Sequence, residues 1–138
     1  MSDIQFGLLP EACRPLLNKF YREHQSPMRA ASKGQAWVAR QQQLEIGALC
    51  LTAVEDGHWL TGLFVAPSWR SQGVARQLIE AALGALEGPV WLFCHPELLG
   101  FYQPIGFNEA QRLPVALGER FMRYRRGKPL VALCRYAD

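Results

Sequence analysis

The sequence has little that would mark a secreted, membrane-spanning or metal-binding protein. Its four cysteines are scattered, with no CxxC pair and no histidine at metal-ligand spacing, which disfavours both a zinc site and a disulfide framework. No apolar run approaches the ~20 residues that cross a bilayer, and the first six residues lack a basic region before an apolar stretch. We therefore expect a cytoplasmic protein with free thiols, no metal and no membrane contact.

Charge and repetition are also limited. The formal net charge is +3, which is too small to imply nucleic acid, and no repeat or low-complexity segment is present. With 49% hydrophobic and 20% charged residues, the 138-residue chain is expected to fold as one domain spanning residues 1–138. Positive charge is concentrated in the last quarter of the chain, at Arg112, Arg120, Arg123, Arg125, Arg126, Lys128 and Arg135.

The order of apolar patterns predicts an α/β (α+β) domain. Three strand-like segments separated by turns predict an antiparallel meander, and a strand, helix and strand then predict a parallel crossover. A helix over 114–126 is favoured because its arginines do not alternate with apolar residues. The expected result is a mixed, mostly antiparallel central sheet flanked by helices. The predicted strands are 3–9, 35–40, 44–51, 59–65, 90–94 and 130–136, and the other predicted helices begin near Pro15 and span 74–86.

One turn between a strand and a helix carries the strongest chemical signal. Pro67 ends the strand, and Gly73 permits a tight backbone path just before a helix. The free N–H groups of residues 71–76 would then converge at the helix N-terminus, between Arg70 and Arg76. Such a turn suits a phosphate or pyrophosphate, although similar turns also serve only to begin helices.

Two motifs in this order resemble a known family. The segment from Arg70 to Ala75 matches the pattern Arg/Gln-x-x-Gly-x-Gly/Ala, preceded by Val-x-Pro, and the segment 101–107 matches Phe-Tyr-x-x-x-Gly-Phe. Together they resemble the coenzyme A loop and a later motif of the GNAT N-acetyltransferases. The likeness covers Trp59 to Phe107, about a third of the chain.

The resemblance implies that the protein moves an acetyl group from acetyl-CoA to a primary amine by direct attack in a ternary complex. The Leu63 amide would polarise the acetyl carbonyl, and Val65 would pair with pantetheine. The implied coenzyme A-binding set is Leu63, Phe64, Val65, Arg70, Ser71, Gln72, Gly73, Val74, Ala75 and Arg76.

Two side chains are candidates for the chemistry itself. Tyr102 falls on the family tyrosine that protonates the departing thiolate, and its alternative is a ring packed in the core beside Phe101. His95 stands where many members have an asparagine that bonds pantetheine. It could bind the cofactor, act as a base, or simply end a strand with its hydrogen bonds satisfied.

The general base is not evident. Members that carry a glutamate on the strand before the loop place it where this chain has Trp59. Glu55, Asp56 and His58 are close in sequence but belong to a turn, so water or an already deprotonated amine is an equal alternative.

The acceptor is expected to be a small-molecule or protein amine. The basic helix 114–126 would favour an acidic or carboxylate-bearing one, unless its arginines form only a solvated face. Nucleic acid is not expected as a partner, because no recognition motif accompanies the arginines. A monomer or homodimer is expected. The alternative functions are a non-catalytic acetyl-CoA sensor and a basic interaction domain that merely shares the fold.

Overall fold

The computed structural model describes residues 3–31 and 33–137, and of Ala137 only the backbone. Short 3-10 turns lie at Glu11–Cys13, Pro67–Trp69, Pro96–Leu98 and Gln103–Ile105. None of the helices in this described part of the chain is both long enough and apolar enough to cross a bilayer. The strands and α-helices are β1 Ile4–Leu9, α1 Arg14–Glu23, β2 Gln35–Gln41, β3 Leu44–Val54, β4 Gly57–Val65, α2 Val74–Leu83, β5 Gly88–Cys94, α3 Leu99–Tyr102, β6 Asn108–Glu109, α4 Val115–Tyr124 and β7 Val131–Ala137.

The strands form one sheet in the order β1-β2-β3-β4-β5-β7-β6. β1 with β2, β2 with β3, β5 with β7 and β6 with β7 are antiparallel pairs. β4 and β5 are parallel, with His58 opposite Val90 and Trp59 opposite Trp91. The predicted mixed, mostly antiparallel sheet with flanking helices is therefore confirmed.

The chain forms two compact units. The first contains Met1–Thr52 and Leu60–Leu86, and the second contains Ala53–Trp59 and Glu87–Asp138. The division passes through β4, so its first residues belong to the second unit and its remainder to the first.

In the first unit, helices cover both faces of the sheet. Leu17 and Tyr21 of α1 are fully buried in a cluster with Val38 and Ala48. The adjacent position Gly47 faces the other way, since a Cβ there would lie 3.5 Å from Cγ1 of Val74 in α2. Successive strand residues alternate between faces, so α1 and α2 lie on opposite sides.

In the second unit, Trp91 of β5 is the centre of the core. It is fully buried and packs with Leu117 of α4 and Cys134 of β7. Its indole Nε1 donates a hydrogen bond to the Arg112 carbonyl at 3.0 Å. A buried indole N–H needs such an acceptor, and this bond ties the segment before α4 to β5.

The elements differ from the sequence predictions mainly at their ends. The helix α2 ends at Leu83 rather than at residue 86. The strand β5 begins at Gly88 rather than at residue 90, because Gly88 and Pro89 are part of the strand and do not precede it. Gly88 has φ 83°. The two-residue strand β6 was not predicted, since its pairing partner is distant in sequence. A helix is present at Val115–Tyr124, within the range 114–126. Cys50, Cys94 and Cys134 are buried free thiols, and Cys13 is partly exposed.

Candidate active site

The loop between β4 and α2 combines two left-handed residues with an uncapped helix N-terminus. Ser71 and Gly73 adopt left-handed conformations, at φ 63° and 81°, and both are exposed. Gly73 is the N-cap of α2, where no side chain caps the helix. The Gln77 N–H donates to the Gly73 carbonyl at 3.0 Å, so the amides of residues 74–76 precede the first helical hydrogen bond. Left-handed turns before a free helix N-terminus form an anion-binding concavity.

Arg70 is held at the entrance of this loop by two contacts. Its Nε donates to the Val65 carbonyl at 2.9 Å, and its guanidinium carbon lies 5.1 Å from the centre of the Phe64 ring. The residue is nevertheless exposed. Because a guanidinium has five N–H donors, the Nε bond leaves donors for an anion, whereas the Val65 carbonyl already has a donor. Arg76, in the first turn of α2, is also exposed.

The middle of β4 contains a conformational break. Gly62 has φ 66°, unlike an extended strand residue, and its carbonyl accepts a hydrogen bond from the Tyr21 hydroxyl at 2.6 Å. Leu63 follows immediately and is half-buried. The ring of Phe64 packs against Phe20 and His24 with centroid distances of 5.9 Å. The Phe64 side chain is therefore partly buried and packs against the core of this unit.

The donors and positive charge of this loop are compatible with the pyrophosphate of coenzyme A. A pyrophosphate needs several N–H donors and positive charge, and the loop supplies amides 71–76 with Arg70 and Arg76 at its two ends. The exposed left-handed residues leave the loop backbone accessible.

Tyr102 is a buried aromatic residue in the second unit. It is 6% exposed and packs between Phe101 and Phe107, at centroid distances of 4.9 and 5.7 Å. Burial, and to a lesser extent the neighbouring Cys94 thiol, raises the pKa of its hydroxyl. The phenol therefore stays protonated at neutral pH, which suits a proton donor, while its ring also fills the core.

His95 caps the turn after β5. Its Nδ1 accepts a hydrogen bond from the Glu97 N–H at 3.1 Å, and the ring is exposed. Glu97 Oε2 is farther away, at 3.9 Å from Nδ1. In the neutral ring this arrangement uses the lone pair of Nδ1 and leaves the proton on Nε2, which can only donate. The geometry therefore favours a hydrogen-bond donor over a base.

The carboxylates near Trp59 are turn residues, as the sequence indicates. Glu55 and Asp56 are exposed, and Asp56 is 3.4 Å from Nη2 of Arg112. His58 Nδ1 is buried and has no partner among the described residues. In the described part of the chain, no three His, Cys, Asp or Glu side chains are grouped as a metal site would require.

Trp59 belongs to a group of rings that we call the aromatic cluster, namely Trp59, Phe93, Phe121 and Tyr124. Two arginines from the basic last quarter of the chain, Arg120 and Arg125, lie against this aromatic cluster. The Arg120 guanidinium is 5.0 Å from the Trp59 ring centre, and that of Arg125 is 5.2 Å from Phe121. These arginines therefore have defined positions on aromatic faces, in addition to their exposure to solvent.

Tyr21 and Glu45 lie outside both sequence motifs. Tyr21 is one of the buried residues of α1, and its sequence context gives no sign of a role at the site. Glu45 lines a cavity of about 330 Å³ beside α1. Burial raises the pKa of its carboxyl, although Arg40 Nη2 lies 3.7 Å from Oε1. A raised pKa makes this carboxyl a better proton acceptor than an exposed glutamate.

Comparison with known proteins identifies the family. The sequence model of the acetyltransferase (GNAT) domain matches residues 32–109, more than half of the chain. No curated protein sequence matches it significantly. The chain belongs to the GNAT acetyltransferase family, as its two motifs predict.

Solved structures share its fold at low sequence identity. N-acetylglutamate synthase from Neisseria gonorrhoeae, complexed with coenzyme A and N-acetyl-glutamate, has a TM-score of 0.74 at 13% identity; the match covers 100% of this chain and 36% of that one. The ribosomal-protein-S18-alanine N-acetyltransferase from Escherichia coli has a TM-score of 0.72 at 16% identity and coverages of 96% and 93%. Naa50 from Arabidopsis thaliana, in complex with the bisubstrate analogue CoA-Ac-MVNAL, has a TM-score of 0.69 at 11% identity and coverages of 97% and 99%. This chain therefore spans about a third of the length of the synthase.

Proposed function

We propose that the protein binds acetyl-CoA through the loop of residues 70–76 and transfers the acetyl group directly to a primary amine in a ternary complex. The observation that carries this proposal is the loop itself, with left-handed Ser71 and Gly73 leading into the uncapped N-terminus of α2. Amides 71–76, Arg70 and Arg76 would hold the pyrophosphate, and the backbone of Leu63, Phe64 and Val65 would contact the pantetheine arm.

Acetyl-CoA supplies the acetyl group as a thioester. The amine nitrogen forms the new bond to the carbonyl carbon, the carbon–sulfur bond breaks with its electron pair remaining on sulfur, and the amine loses a proton to solvent. The Leu63 N–H would stabilise the negative charge that develops on the carbonyl oxygen. Tyr102 would give its proton to the departing sulfur and regain one from solvent. His95 would donate its Nε2–H to pantetheine in place of the family asparagine.

The acceptor is proposed to be a small-molecule or protein amine with a nearby carboxylate. Arg120 and Arg125, placed on the aromatic cluster, present positive charge beside apolar faces. A carboxylate can bond to such a guanidinium, and an apolar substituent can pack on the rings. Structural neighbours include an N-acetylglutamate synthase and a ribosomal-protein alanine N-acetyltransferase, so we retain both kinds of acceptor.

We further propose that the protein works in the cytoplasm as a monomer or homodimer, without nucleic acid or membrane partners. Its free thiols support a reducing compartment.

One experiment separates an enzyme from an acetyl-CoA sensor. Purified protein is titrated calorimetrically with acetyl-CoA and then assayed for thiol release with a panel of amines that differ in carboxylate content. We expect saturable binding and thiol release that depends on amine. Binding without release from any amine would favour the sensor, and absence of binding would contradict both functions.

Arg70 and Arg120 are expected to affect different substrates. Arg70→Ala removes a charged donor from the pyrophosphate and should raise the Michaelis constant for acetyl-CoA about 5- to 20-fold. Arg120→Ala should instead weaken the preference for carboxylate-bearing amines. Arg70→Lys, which keeps the charge but loses the Nε bond to Val65, should fall between wild type and Arg70→Ala. Steady-state kinetics in both substrates test the division; equal effects of both arginines on both substrates would contradict it.

A further inference from the structure

One peptide group of β4 accepts a hydrogen bond from a side chain of the helix α1. The Gly62 carbonyl and the Leu63 N–H belong to the same planar unit, and in a trans peptide they point in opposite directions. The Tyr21 hydroxyl donates to this carbonyl at 2.6 Å from α1, 41 residues away in sequence. Fixing the carbonyl therefore fixes the direction of the N–H on the other side.

The group that fixes it is rigid and stays protonated. Tyr21 is fully buried and packs with Leu17, Phe20 and Phe64. Burial raises the pKa of its hydroxyl, and the adjacent Cys50 thiol raises it further. The hydroxyl therefore stays protonated and can donate at neutral pH. A hydrogen bond to a peptide carbonyl also polarises the N–H of the same group, which becomes a stronger donor.

Gly62 provides the space and the backbone conformation. Its φ of 66° is one that side chains rarely adopt, and a Cβ there would lie 2.7 Å from the Tyr21 oxygen. Any other residue would have to displace the hydroxyl or change the strand.

We propose that Tyr21 is a positioning residue that aims and strengthens the Leu63 amide as the donor to the acetyl carbonyl oxygen. This inference rests on the proposed function, in which that amide stabilises the developing charge. Tyr21 does not touch the substrate and acts only through the Gly62–Leu63 peptide.

The test is Tyr21→Phe, which keeps the ring and removes the hydroxyl. We expect kcat for acetyl transfer to fall about 10- to 100-fold, less than the loss of an oxyanion donor, while the dissociation constant for acetyl-CoA changes less than about twofold. The Leu63 amide proton should move upfield in a nitrogen-15 correlation spectrum, since it loses polarisation. Tyr136→Phe removes the hydroxyl of a largely exposed tyrosine in β7 and should match wild type in all three measurements.

Gly62→Ala provides an independent variant in case Tyr21→Phe does not fold. Its Cβ should displace the hydroxyl and give the same signature, a lower kcat with unchanged acetyl-CoA affinity. Gly7→Ala in β1 is its control, because a Cβ at that strand position meets no described atom within 4 Å. An active wild type with unchanged kcat in the folded variants overturns the positioning role alone. A fall confined to acetyl-CoA affinity also overturns it. A wild type that neither binds acetyl-CoA nor transfers acetyl overturns the proposed function, and this inference with it.

Discussion

Replacing Tyr102 with phenylalanine is expected to lower kcat for acetyl transfer roughly 10²–10⁴-fold, the usual contribution of a positioned acid. The substitution keeps the ring between Phe101 and Phe107 and removes only the hydroxyl. Affinity for acetyl-CoA and the melting temperature should therefore change little. Because burial raises the pKa of this phenol, its ionisation should not limit the wild-type rate at neutral or mildly alkaline pH.

The measurement compares single-turnover rates with an amine that the wild type acetylates. Tyr102→Leu is the matched variant for packing, since it removes both the hydroxyl and the ring. A rate loss in Tyr102→Phe below about fivefold would mean that water supplies the proton. A large loss of thermal stability in Tyr102→Phe would show that the hydroxyl serves the core.

The second large effect is expected from Gly73→Val. A β-branched residue is strained at φ 81°, by about 1–2 kcal/mol, and relief of that strain would turn the loop amides away from the phosphates. The affinity for coenzyme A should fall at least about tenfold, as measured by calorimetry on folded protein. Space is not the obstacle, because a Cβ at this position would meet only Gln77 Nε2, at 3.5 Å.

Two further variants distinguish the effect of backbone strain at residue 73 from the effect of a side chain that lies close to the ligand. Asparagine tolerates the left-handed conformation, so Gly73→Asn should retain most of the affinity unless the ligand approaches too closely for any side chain. Gly7→Val adds the same side chain in β1, where a Cβ has no neighbour within 4 Å among the described residues, and this variant should bind coenzyme A normally. Undiminished affinity in Gly73→Val would remove the loop from the proposed site.

The sequence was most informative where chemistry depends on consecutive residues. Pro67, Gly73 and the apolar period of the following helix define the turn and the start of α2, so the loop could be predicted locally. The same holds for Gly106, which ends the turn after α3 at φ 104° as a glycine C-cap. These features need no knowledge of distant contacts.

Other features depend on residues far apart in the chain and could not be predicted in this way. Tyr21 is one apolar position on a helical face, and nothing near it in sequence indicates a bond to Gly62. Gly62 itself interrupts an otherwise regular strand pattern, which is compatible with a break but does not specify its cause. The contact of Arg120 with Trp59 joins α4 to β4 in the same manner.

The hydrogen bond between Tyr21 and Gly62 also makes the backbone conformation of β4 depend on the packing of α1. The hydroxyl reaches the carbonyl only while α1 is docked on β2 and β3, through contacts that bury Leu17, Phe20 and Tyr21. Any loosening of α1 would release the Gly62–Leu63 peptide. The orientation of this peptide therefore depends on the apolar contacts beneath α1 as well as on the pairing of β4.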